Sequence, residues 1–100
     1  MNEDIHIGRV VYSKSGRDSK KYFVVIGTIN EEYVYIADGS LRTIQKPKKK
    51  KIKHLKLSSL VSNEIKELVL NGEQISNSQI KKFLQYADTN KEVWLPYVKR

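Results

Sequence analysis

Between residues 14 and 21 the chain gathers Lys14, Arg17, Lys20 and Lys21 around a single glycine, Gly16. A bare glycine lets backbone come close to a ligand while the cations supply charge, so such a loop is suited to phosphate oxygens. Glycine also serves simply to close a turn, and the two roles are compatible. Further along, six lysines (Lys46, Lys48, Lys49, Lys50, Lys51 and Lys53) crowd into residues 46–53, with Arg42 just before them. Lysines bind phosphates as point charges and read no base sequence. Were roughly five of them to meet phosphates on single-stranded RNA, log affinity would fall by about 3.5 per decade of salt. The plainer reading of this run is a solvated, mobile loop. Tyr12, Tyr22, Phe23, Tyr33 and Tyr35 stand near these cations in sequence and could stack on unpaired bases. Strand aromatics more often fill a core or its rim. Phe23 is assigned to the core, and Tyr22, next to Lys21, is the stacking candidate.

Other chemistries find little support. His6 and His54 are the only imidazoles, and there is no cysteine, so the three or four convergent ligands of a metal centre are not legible. No nucleophile, base and orienting group can be read together, and no GxxxxGK[ST] loop is present. The sequence therefore predicts no catalytic residues, no metal and no cofactor, that is, a protein that is not an enzyme. Trp94 is expected to dock the C-terminal tail internally, with a protein-partner anchor as the alternative.

The chain has 100 residues, enough for one compact domain with a small appendage. Nineteen Lys and Arg against 11 Asp and Glu leave a net charge of +8. The charge is uneven. Residues 1–57 hold 13 cations and 6 anions, net +7, whereas residues 58–100 hold 6 and 5, net +1. A basic half joined to a near-neutral half predicts that one part meets a polyanion and the other packs or meets protein. No signal peptide or membrane-length apolar run is visible, and no acylation site or insertion helix accompanies the lysines. A cytoplasmic protein without a membrane partner is expected.

The elements that must carry these residues follow from pattern. Apolar residues over 5–13 and the β-branched, aromatic run 22–29 read as strands, with Gly27 marking a bend. A third strand follows at 33–37. Asp38-Gly39 predicts a two-residue turn into a fourth strand at 41–45, and residues 52–57 predict a short closing strand. Four or five short strands over about 50 residues predict an open sheet or a small β-barrel. From Ser58 the period becomes helical: Val61, Ile65, Leu68 and Val69, then a stop at Asn71-Gly72. Ser76 with Gln79 predicts a capping box, stapled by Ile75 on Ile80, before a second helix carrying Phe83, Leu84 and Ala87. The expected organisation is a β domain over 5–57 and a helical hairpin with tail over 58–100.

The segment from Ile7 to Asp38 resembles a KOW motif: an apolar strand, Gly16, a basic turn, then a second strand at Phe23 to Ile26. Continued through Leu55, it is similar to bacterial KOW-domain proteins related to the fourteen-e type large-subunit ribosomal protein of archaea and eukaryotes. That resemblance implies a mainly β chain, with an SH3-like β-barrel of KOW type before the two-helix C-terminal extension. It also implies RNA binding and association with ribosomes or translation. The function expected is therefore non-catalytic binding of structured ribosomal RNA or the large ribosomal subunit. The phosphate-gripping residues would be Lys14, Arg17, Lys20, Lys21, Arg42, Lys46, Lys48, Lys49, Lys50, Lys51 and Lys53, with Gly16 for close approach and Tyr22 for stacking. The helices would brace the barrel or contact a ribosomal or translation protein. A protein-interaction adaptor using the barrel rim is the alternative, and an RNA-modifying enzyme would need a polar pocket that the sequence does not display.

Overall fold

A computed structural model describes residues 5–14 and 21–88. Five strands and two α-helices are present among them: β1 (Arg9–Ser13), β2 (Tyr22–Thr28), β3 (Tyr33–Ala37), β4 (Lys48–Lys51), β5 (Leu55–Val61), α1 (Asn63–Leu70) and α2 (Asn77–Asp88). A single 3-10 turn, Ile52–His54, joins β4 to β5. The strands form one antiparallel sheet in the order β4-β3-β2-β1-β5. The sheet is open, with β4 and β5 as its edges, so the expected barrel is not closed by strand pairing among the described residues. None of the helices described is long and apolar enough to cross a membrane.

Both faces of the sheet are apolar, and each makes its own core. Val11, Phe23, Val25, Val34, Ile36 and Leu55 cluster on one face, with Ile52 and Leu57 against them and no helical residue among them. Neither α1 nor α2 contributes to this cluster, in keeping with a sheet that curls over that face. Register shifts at Arg9/Val11 and at Val25/Gly27 supply the bends. On the other face Val10 and Val24 pack with Ile65, Ile75, Ile80 and Ala87 of the helical part. Each fully buried aliphatic or aromatic side chain contributes roughly 1.5–3 kcal/mol.

Arg9 and Val11 of β1 pair with Val61 and Leu57, so the extra residues lie in β5, and polar groups seal this bulge. The buried Ser58 hydroxyl donates to the Val10 carbonyl at 2.7 Å and accepts from the Leu60 N–H at 3.1 Å. Arg9 donates to the Ser58 carbonyl at 2.7 Å and to the Ile5 carbonyl at 3.2 Å, fastening the N-terminal segment to β5. The strand predicted over 52–57 thus begins at Leu55 and continues past Ser58 to Val61.

The stop of α1 and the start of α2 fall on the expected residues, whereas α1 begins only at Asn63, because Ser58 to Val61, where the helical period was expected to begin, belong to β5. Ser62 caps α1 by accepting from the Ile65 N–H at 3.1 Å. At its end Gly72, at φ +74°, donates to the Val69 carbonyl while Glu73 donates to that of Leu68, the two bonds of a Schellman closure. Before α2 the capping box is reciprocal: the Gln79 N–H reaches Ser76 Oγ at 3.1 Å, and the Ser76 N–H reaches Gln79 Oε1 at 2.8 Å. Ile75 and Ile80 are both buried in the same cluster.

The hairpin predicted at Asp38-Gly39 also fails. Residues 41–45 form no strand, and the fourth strand is β4, built from the lysines that had read as a loop. Asp38 Oδ1 accepts from the N–H groups of Ser40 and Arg42, both at 2.9 Å, which turns the chain by side-chain capping and not by a two-residue ladder turn. Gly39, at φ +80°, lies beneath the start of α2, where a Cβ would stand 2.5 Å from the Asn77 carbonyl oxygen. Asn77 then holds the loop, accepting from the Ile44 N–H at 2.9 Å and donating to Gln45 Oε1 at 3.1 Å.

Candidate nucleic-acid interface

The lysine run is extended and antiparallel to β3, with Lys48, Lys49, Lys50 and Lys51 opposite Ile36, Tyr35, Val34 and Tyr33. Strand alternation therefore divides it. Lys50, opposite Val34, belongs to the concave face and is only 8% exposed. Lys48 shares that face, at the sheet edge. Lys49 and Lys51 stand on the opposite face beside the tyrosines. The Lys49 ammonium sits 4.7 Å from the centre of the Tyr33 ring, and that of Lys51 sits 5.6 Å from it. Lys53 follows on the 3-10 turn and is exposed.

The two basic segments meet at their ends. Lys14, exposed just past β1, donates its N–H to the carbonyl of His54 at 3.0 Å, and the Lys21 carbonyl accepts from the Ser13 N–H at 3.0 Å. The base of the 14–21 loop is thus bonded to the turn that ends the lysine strand. Gly16, Arg17 and Lys20 lie outside the described residues, as does Trp94. Lys46 is exposed and Arg42 half-buried in the 38–47 loop, at the other end of β4.

Tyr22 is placed otherwise than its neighbour Lys21 suggested. It is half-buried, packs against the core beneath the helices, and tilts against Tyr12 with ring centres 5.2 Å apart. On the sheet, the ring open to solvent among the described strand residues is that of Tyr35, 40% exposed. Its position was signalled by the alternation in Tyr33-Val34-Tyr35-Ile36, which sends the aliphatic residues to the core and both tyrosines to the far face.

On the N-terminal side, burial and the nearby Arg9 charge push the His6 pKa below its ordinary value of 6.5. His6 Nδ1 is buried without a hydrogen-bond partner.

Fold and surface define a small, basic, mainly β protein whose sheet is covered on one face by two helices, with cations along one edge. A curated Bacillus subtilis (strain 168) protein described as "Putative ribosome-binding protein YbzG" is 32% identical over 71 residues, spanning 71% of this chain and 96% of that protein. The chain belongs to the family of that protein. No family model matches the chain.

Proposed function

We propose that the protein is a non-catalytic, cytoplasmic RNA-binding protein that associates with the ribosome and holds ribosomal RNA phosphates along its basic edge. The observation that carries this reading is its relationship to a protein described as ribosome-binding. The chemistry agrees with it: a net charge of +8, with most of the excess cations in residues 1–57, can lower the free energy of a polyanion complex by releasing counterions.

In this reading Lys49, Lys51 and Lys53 take phosphates at the edge. Lys14 and Lys21, with Gly16, Arg17 and Lys20 of the loop between them, extend the contact at one end, and Arg42, Lys46 and Lys48 at the other. Lys50 contributes field more than contact, because its stem is buried. The curled sheet, with a 3-10 turn between its edge strands, is read as SH3-like and of KOW type, in keeping with the resemblance of residues 7–56. The helices would meet a ribosomal or translation protein through Tyr86, 55% exposed, which stacks on Phe83 at 6.3 Å beside a hollow between α1 and α2.

Sedimentation with cell ribosomes across a salt series, with and without nuclease, tests the proposal. Co-sedimentation that weakens with salt and with nuclease is expected. Recovery in the free fraction under every condition overturns the ribosomal reading, and co-sedimentation indifferent to nuclease favours a protein adaptor.

A further inference from the structure

Among the described residues, the cluster that joins the helices to the sheet includes none from β3 or β4. Beyond the helices lie Tyr33 and Tyr35 on β3, with Lys49 and Lys51 opposite them on β4. Tyr35 rests on Gly27 of β2, where an added Cβ would stand 3.3 Å from its ring carbon Cδ2. The ring has backbone below it and solvent above, and 40% of the residue is exposed. Beside it the Tyr33 ring has two ammonium groups within 6 Å of its centre. A supported aromatic plane flanked by cations offers one surface to a nucleobase and another to the phosphate that follows it. Lysines alone need neither ring.

We propose that Tyr35, with Tyr33, Lys49 and Lys51, forms a stacking platform for unpaired bases of single-stranded RNA. This rests on the RNA-binding reading above and narrows its ligand from RNA phosphates in general to unpaired nucleotides. Duplex RNA keeps its bases stacked on one another and leaves the platform nothing to hold. The direction of the strand follows from charge. Glu31 and Glu32 stand with Lys51 and Lys53 around a surface hollow at one end of the patch. Their carboxylates offset part of the charge of Lys51 and Lys53, so the pull on phosphates grows along the strand across Lys49 toward Lys46 and Arg42.

The full-length protein is titrated by fluorescence anisotropy with a labelled oligouridine of about 12 nucleotides, a length within the usual footprint of one small β domain. A duplex of the same length reports phosphate contacts alone. Tyr35→Ala is expected to weaken oligouridine binding ~10-fold, the scale of one lost base stack, and to leave the duplex within about twofold. The salt slope should not change, because no charge is removed. Tyr35→Trp should restore binding, and its fluorescence should be quenched by oligouridine more than that of the parent chain. Loss of affinity for both RNAs in equal measure, or for neither, overturns the platform while RNA binding stands. Failure of the unaltered protein to bind either RNA overturns the RNA-binding reading, and the platform with it.

Discussion

Ser58 closes a gap that the backbone leaves open. Its hydroxyl is buried and satisfies the Val10 carbonyl where β5 bulges opposite β1. Ser58→Ala should cost about 1–3 kcal/mol in urea unfolding, because the carbonyl is left buried and unpaired. Two glycines separate conformational strain from contact. Gly39 and Gly72 have nearly the same φ, +80° and +74°, but only Gly39 has a neighbour within reach of a new Cβ. Gly72→Ala should cost about 1 kcal/mol for its left-handed backbone, and Gly39→Ala clearly more, since it must also push α2 away. Equal losses would show that Gly39 is only a turn residue. His6 adds a pH dependence. Its folded pKa lies below 6.5, so the unfolded chain takes up the proton first. Stability is then full above about 6.5, falls as pH drops through that value, and levels off below the folded pKa. His6→Gln should flatten the urea midpoint between about pH 7 and 5, and an unchanged profile would place the titrating group elsewhere.

At the level of elements, what could be read from the chain was what local bonds decide. The Ser76/Gln79 box, the Asn71-Gly72 stop and the strands at 9–13, 22–28 and 33–37 each follow from neighbours in sequence. The Asp38-Gly39 hairpin did not, because its outcome depends on Asn77, far along the chain. Asn77→Ala should speed hydrogen exchange at the Ile44 amide and leave the strand amides of β1 and β2 protected. Uniform protection would mean that the Asp38 turn holds the loop unaided. The lysine strand was equally hidden. Four identical charged side chains show no alternation, and lysine is a poor strand former, so only pairing with β3 reveals that Lys50 is buried while Lys49 is not. Tyr22 packs against the helical core, while the alternation along β3 leaves Tyr35 at the surface. The crowding of the cations was legible in the sequence, but their division between two faces was not.

For the whole molecule, affinity and salt dependence should be separable. Lys49, Lys51 and Lys53 changed together to Gln should flatten the plot of log affinity against log salt by about 2 on single-stranded RNA, at roughly 0.7 for each phosphate no longer neutralised. A slope that stays put would mean these ammonium groups face water in the complex as well. The curled sheet should survive the change, since these three residues lie outside both apolar clusters.

One consequence of the lysine strand concerns what it refuses. Among the described residues β4 pairs on one side with β3, and an edge strand with a vacant ladder ordinarily invites another strand to join it. Four successive ammonium-bearing side chains make that addition self-repelling for a second copy of this chain. Such an edge disfavours backbone-to-backbone capture, and under the proposed function it admits partners that arrive phosphate first. Neutralising Lys48, Lys49 and Lys51 should remove the gatekeeping together with the affinity. The variant should then self-associate with rising concentration in sedimentation velocity, and a strictly monomeric variant would show that curvature alone guards the edge.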